Sequence, residues 1–283
     1  MNQWNSFPHD NSAFTYQDSS LQDAWPDLHR GDCVKFPDPD WVQQCLDQAP
    51  ETAPESFDGD IAALAATIQD GWRCFHSGDF QRAAILSGQC GLLAHAPANK
   101  ATGIYASYLE PGEATAQDFF LSAVKRAEAA IQALPDDPNS HYFHAFNLGR
   151  YSQSISIMKA LSEGIGGKIH TSLQQTLELE PDHAEANTAL GIYHSEIISK
   201  VGKMIGKLTY GASVDKALQH FDRALELTPD SPIAYIEYGN GLYLLFEDDR
   251  LDEVTDLYVK ATELQPMDAM EKLDIEAALA ELE

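Results

Sequence analysis

The sequence predicts an all-α protein of antiparallel helix pairs stacked in series, two of them elongated, behind an irregular N-terminal arm. Three observations carry this expectation. First, helical segments repeatedly end in an apolar-x-Pro step: His95-Ala-Pro97, Ala133-Leu-Pro135, Leu179-Glu-Pro181, Leu227-Thr-Pro229 and Leu264-Gln-Pro266, with the prolines 38, 46, 48 and 37 residues apart. Proline belongs just past a helix end because it cannot continue the helix, and it restricts the residue before it. Second, the residues 12, 8 and 5 before a proline are small or aromatic: Ala217, Phe221 and Ala224 before Pro229, Val254, Tyr258 and Ala261 before Pro266, Ala123, Ala127 and Ala130 before Pro135. Third, a second helix after the proline carries Leu148-Gly149, Leu190-Gly191 or Tyr238-Gly239. Glycine inside a helix costs about 1 kcal/mol relative to alanine, so its recurrence predicts a close crossing of two helices.

The elements follow in order. Residues 1–58 form an acidic arm holding six of the fourteen prolines and three of the four tryptophans, Trp4, Trp25 and Trp41. Prolines point to irregular structure, yet disordered tails are poor in aromatic residues. The arm is therefore expected to dock, as a cap on the first pair, in a groove of the same chain, or on a partner. A short helix is expected at Asp40-WVQQCLDQ with Asp40 as N-cap. Five pairs follow over 59–266, at about 60–97, 98–135, 138–181, 184–229 and 231–266. Residues 267–283 form a capping helix with Met270, Leu273, Ala277 and Leu279 on its apolar face.

Two pairs contain insertions, near 152–168 and 197–213. In the second, Ile197, Ile198, Val201, Met204, Ile205 and Leu208 recur at helical spacing, with Lys200, Lys203 and Lys207 opposite. The first helix of this pair is expected to continue as an amphipathic extension, weakened at Gly202 and Gly206. The other insertion has Ile155, Met158 and Leu161 before a turn at Gly164-Ile-Gly166-Gly167. The extensions are expected either to bury each other's apolar faces or to leave a stripe of Ile198, Val201, Met204, Ile205 and Leu208 as a subunit or ligand contact.

These motifs resemble the tetratricopeptide repeat (TPR), with Leu-Gly in the first helix, small-large-small in the second and a closing proline. The resemblance covers about 60–266 and implies a TPR-like superhelix. A plain repeat has about 34 residues; the third and fourth units have 46 and 48. The stretch from Pro181 to Pro229 is similar to two TPR subfamilies with elongated helix pairs, the T component of TRAP-type transporters and the regulators of microtubule dynamics.

Charge narrows the function. With 18 Lys+Arg against 44 Asp+Glu the net charge is −26, which disfavours nucleic acid and anionic lipid. The excess is uneven: residues 1–60 carry 12 acids and 2 bases, residues 230–283 carry 15 and 3, and the middle is close to neutral. No apolar run of membrane-spanning length, signal sequence or lipidation motif is present, so a cytoplasmic protein is expected. The cysteines Cys33, Cys45, Cys74 and Cys90 lack metal-ligand spacing. His141 and His144 lack further ligands, and GIGGK and GKMIGK lack the spacing of a phosphate loop. Catalysis, cofactors and metals are not expected.

The TPR resemblance implies instead a groove lined by the first helix of each pair. Counting from Gly149, Gly191 and Gly239, the lining candidates are Phe143, Phe146 and Arg150; Thr188, Ile192 and Ser195; and Ile236, Asn240 and Tyr243. The expected function is a non-catalytic scaffold binding a protein or peptide, with a basic partner favoured by the acidic ends; a homo-oligomer is also open. The alternative is a small-ligand or transport-accessory protein using a cleft near the insertions.

Overall fold

The computed structural model describes residues 3–283; residues 1 and 2 of the arm lie outside it. The described residues form fifteen α-helices and short 3-10 turns, and no strand. The chain divides into two compact units: one runs to His29 and resumes over Val34–Ile155, the other comprises Arg30–Cys33 and Ser156–Glu283. The division falls within the insertion of the third pair.

The first unit holds α1 (Ser20–Leu28), α2 (Pro39–Gln48), α3 (Ile61–His76), α4 (Phe80–Gln89), α5 (His95–Tyr108), α6 (Glu113–Ala133) and α7 (Pro138–Gln153). Helices α3 and α4 pack as one pair and α5 and α6 as the next, while α5 also meets α3 and α7. Carboxylates set the starts: the side chains of Asp60, Asp79 and Asp137 accept backbone N–H groups of the first turns of α3, α4 and α7, each worth about 1 kcal/mol. Two expectations are corrected here. Pro97 does not close a helix; it sits in the first turn of α5, where a missing N–H leaves no hydrogen bond unmade. The N-cap of α2 is Asp38, which accepts the Trp41 N–H at 2.7 Å, with Pro39 leading the helix, rather than Asp40.

The arm is ordered against this unit. Trp4 stacks on Tyr105 with centroids 4.2 Å apart, and Asn5 donates to the Tyr105 hydroxyl and the Leu109 carbonyl. Arg73 of α3 donates to the Tyr16 and Asp18 carbonyls. Trp25 stacks on His29 at 3.9 Å, meets Trp72 of α3 edge-on at 5.7 Å, and donates its indole N–H to the Val34 carbonyl. Helix α1, with Pro26 inside it, was not expected from the sequence.

The second unit holds α8 (Ile157–Ser162), α9 (Ile165–Leu179), α10 (Ala184–Val201), α11 (Lys203–Tyr210), α12 (Val214–Leu227), α13 (Pro232–Phe246), α14 (Leu251–Thr262) and α15 (Ala269–Leu282). Helix α10 packs on α9, α12 and α13; α13 packs on α14, and α15 packs on both. Phe221 of α12 is the pivot: a Cβ at Gly191 of α10 or Gly241 of α13 would lie 2.4 Å from its ring. Gly239 faces Tyr258 of α14 in the same way, at 2.9 Å. The helix-crossing reading therefore holds at Gly191 and Gly239 but fails at Gly149, where a Cβ would meet nothing within 4 Å. The equivalent slot in α7 is Ala145, which is buried and lies ten residues after Pro135, as Gly191 does after Pro181.

The amphipathic extension is broken rather than continuous. Gly202 adopts φ +83° and ψ 157°, which ends α10 and starts α11. On the other insertion, the turn is Gly164 alone in the left-handed region, and Gly166 and Gly167 already belong to α9. The capping face also differs. Leu273, Ile275 and Ala278 of α15 are buried, with Ala278 packed near Ile236 and Ala261, whereas Ala277 and Leu279 point to solvent.

Candidate interaction site

The groove candidates of the second unit sort by burial. Thr188 and Ser195 are buried, and their hydroxyls donate back to the carbonyls of Ala184 and Gly191 in their own helix. Such i−4 bonds leave little donor capacity for a partner. Ile236 is buried near Ala278 of the last helix. Ile192 and Asn240 are half-buried. Asn240 accepts the Tyr258 hydroxyl at 2.5 Å and donates to Glu237, so its amide is held in place. Tyr243 is 51% exposed. Thr188, Ser195 and Ile236 are therefore packing residues, and Ile192, Asn240 and Tyr243 are the accessible ones.

In the first unit, Phe143 is fully buried and lines nothing. The buried small residue of this helix is Ala145, one turn before Gly149. Phe146 packs over Gly103 of α5, its ring 2.5 Å from where a Cβ would stand. Arg150 lies 5.8 Å above that ring and donates to Gln153.

Residues Arg30–Cys33 belong to the second unit and meet its helix starts. The Gly31 carbonyl accepts the Glu185 N–H of α10 at 3.0 Å, and Arg30 pairs with Asp230 before α13 at 2.9 Å. An orphan first-turn donor is thus satisfied by main chain from the arm.

The insertions do not bury each other's apolar faces. Both lead to one corner, where Gly166 at the start of α9 faces Ile197 and Tyr210. Yet Met158 is 79%, Met204 77% and Leu208 82% exposed, and Ile157, Leu161 and Ile205 are exposed as well. Side chains this open do not wall a closed cleft. Of the stripe residues, Ile198 is buried against the Gly206 turn and Val201 is half-buried, so the accessible set is Met204, Ile205 and Leu208. Helices this short bury only one narrow side on α9 and α10, which leaves the opposite side uncovered.

Polar clusters in the interior are structural in geometry. His95 Nε2 lies 2.8 Å from Asp137 and 3.4 Å from Ser140 Oγ, while Ser140 donates to the same carboxylate. A Ser-His-Asp relay needs carboxylate and hydroxyl on opposite ring nitrogens; here both face one nitrogen. Burial pushes the Asp137 carboxyl up, but hydrogen bonds from His95 and Ser140 outweigh this and hold it below its ordinary value. Burial raises the thiols of Cys45, Cys74 and Cys90 to about 11, and burial with nearby carboxylates raises Cys33 to about 12, so none is a neutral-pH nucleophile. His141 donates from Nε2 to the Pro135 carbonyl of its own loop, 2.9 Å away. Among the described residues no three His, Cys, Asp or Glu side chains converge to hold a metal ion, and no helix is long and apolar enough to cross a membrane.

A feature missed in the sequence is a row of histidines, His170 of α9, His194 of α10 and His220 of α12, with neighbouring ring centroids 6.1 and 5.8 Å apart. His194 is buried with no partner at Nδ1, and His220 meets Asn187 at 2.9 Å. Burial, then the charges of His220, His170 and Lys216, depress His194 to about 3. Only the register of three helices, not their spacing in the chain, reveals this row.

The helix pairs and their close glycine–aromatic crossings define a TPR-like helical repeat protein. A solved TPR protein from Thermus thermophilus shares this fold, with a TM-score of 0.55 at 15% identity over 77% of this chain and 99% of that one. YrrB, described as a TPR protein with an unusual peptide-binding site, aligns with a TM-score of 0.39 at 16% identity over 83% and 96% of the chains. No curated protein matches. The family profile of regulator of microtubule dynamics protein 1–3 matches residues 98–275. The chain belongs to that family, one of the two TPR subfamilies its fourth unit resembles.

Proposed function

We propose that this is a cytoplasmic, non-catalytic interaction scaffold that binds a protein or peptide along the first helices of its pairs. In this reading the chain comprises the arm (1–58), five pairs (59–266) and the capping helix (267–283). The observation that supports it is the surface of α10 and α13. Ile192 and Asn240 sit half-buried on packed helices, and Tyr243 offers a largely open ring beside a fixed amide. Rigid aromatic anchors of this kind dominate binding energy at interfaces. The surplus acid of residues 230–283 favours a basic partner and a salt-sensitive encounter rate.

The test is affinity capture from lysate of the source organism with the full chain and a Tyr243→Ala variant, at low and high salt. Proteins bound by the wild type are expected to be lost or weakened at least tenfold by Tyr243→Ala, and to bind less at high salt. An unchanged set of captured proteins would remove this face from consideration.

A further inference from the structure

The exposed large apolar side chains of the second unit fall into two groups that differ in charge. One is the insertion corner, with Met158 and Leu161 on α8 and Met204, Ile205 and Leu208 on α11. Residues 196–214 around it hold Lys200, Lys203 and Lys207 against one carboxylate, Glu196, which pairs with Lys200 at 2.9 Å and leaves Lys203 and Lys207 as the surplus, while Lys159 and Glu163 at α8 balance each other in charge. The other is the C-terminal end, with Leu251 and Val259 on α14 and Leu279 and Leu282 on α15. Residues 247–283 hold 13 acids and 3 bases. Those three bases already face carboxylates on their own elements: Arg250 with Glu253, Lys260 with Glu263, and Lys272 with Glu276. The end is thus apolar and acidic with no cation to spare, and the corner is apolar and basic.

We propose that the α8–α11 corner of one copy docks on the α14–α15 end of a second copy, head to tail. Large apolar side chains left open to water in groups mark association sites. Charge selects the occupant. Pairing corner with corner would set lysines against lysines, and pairing end with end would set carboxylates against carboxylates. Corner against end relieves both and covers both apolar groups. The net charge of −26 does not forbid this, because at physiological salt charges act over about 8 Å and the contact senses local sign. The contact is heterologous: each copy offers two different surfaces, so it propagates into a chain or closes into a ring.

The test is sedimentation velocity of the full chain across a wide concentration range at physiological salt. Two variants accompany it, Met204→Ser with Leu208→Ser at the corner, and Val259→Ser with Leu279→Ser at the end. All four residues are exposed, and circular dichroism checks that the fold is kept. The wild type is expected to associate with concentration, and each variant alone to associate at least tenfold more weakly. Mixed, the variants are expected to form a complex of one copy of each and nothing larger, since each retains one good surface. A wild type that stays monomeric overturns the proposal. So does a single variant that associates as tightly as the wild type, which is the mark of a symmetric contact through the surface it retains, and so does a mixture that stays monomeric while the wild type associates. Wild-type binding to phosphatidylserine vesicles without self-association would assign the corner to a lipid surface and overturn it equally.

Discussion

A methyl group added at Gly191 would lie 2.4 Å from Phe221, a buried ring clasped between α10 and α13. Neither helix can yield without opening the crossing, so Gly191→Ala is expected to destabilise by about 1–3 kcal/mol. Gly149→Ala adds the same methyl into open space inside a helix and is expected to stabilise by about 0.5–1 kcal/mol. Chemical denaturation of the two variants checks both signs. Glu271 offers a second test at this scale. Burial and the neighbouring Asp268 raise its carboxyl to about 8, against the Met267 N–H bond that lowers it. A group whose folded value lies above its unfolded one contributes stability below about 4.5 and loses it as pH rises through about 8. Glu271→Gln keeps an acceptor for Met267 and is expected to gain on the order of 1 kcal/mol relative to wild type at the alkaline end of that window. Melting curves at its two ends would show equal gains if the carboxyl is ionised throughout.

Three helices, α9, α10 and α12, share the histidine row, and their packing depends on its neutrality. His170, His194 and His220 are all depressed, first by burial, with Lys216 adding to each. Lowered histidines contribute stability that is complete above about 6.5 and is lost as pH falls toward about 3. The molecule is expected to weaken through that range, and His194→Phe to flatten the loss while leaving neutral-pH stability within about 1 kcal/mol. Denaturant midpoints as a function of pH decide this; an unaltered acid slope would place the cause elsewhere. The elements also show where sequence reading stops. The glycine–aromatic crossings were legible because Gly191 and Gly239 recur ten residues after Pro181 and Pro229. Pro97 misled because proline is equally at home just past a helix and in its first turn. The amphipathic stripe at 197–208 was legible, but amphipathy states only that one side is apolar. Whether α9 and α10 are broad enough to cover it is a tertiary fact, and Met204 and Leu208 remain open.

At the scale of the whole molecule, the uneven charge was readable from the chain, and the structure gives it surfaces: a basic corner at α11 and an acidic end at α14 and α15. The docking of the arm was foreshadowed by its tryptophans, three of four in 58 residues. Its route was not, because aromatic content says that a segment packs and not upon what. The groove candidates fared unevenly for the same reason. Tyr243 stands open and Phe143 is sealed in the core, although both sit on first helices and both are aromatic.

Residues 30–33 belong with helices that lie far along the chain, and Arg30 meets Asp230 across 200 positions. The second unit is therefore discontinuous, and its assembly has an order imposed by synthesis. The four residues leave the ribosome early and wait for the starts of α10 and α13. The entropy of closing so long a loop rises only slowly with length, but contacts of such separation are late ones. A nascent chain halted before residue 230 can already join Gly31 to the Glu185 N–H but lacks the Asp230 carboxylate that Arg30 meets. A fragment beginning at Ser156 would lack the segment that satisfies the Glu185 N–H. The N-terminal arm thus acts in time as well as in space, as the last stitch drawn through a fold whose first residues were made long before.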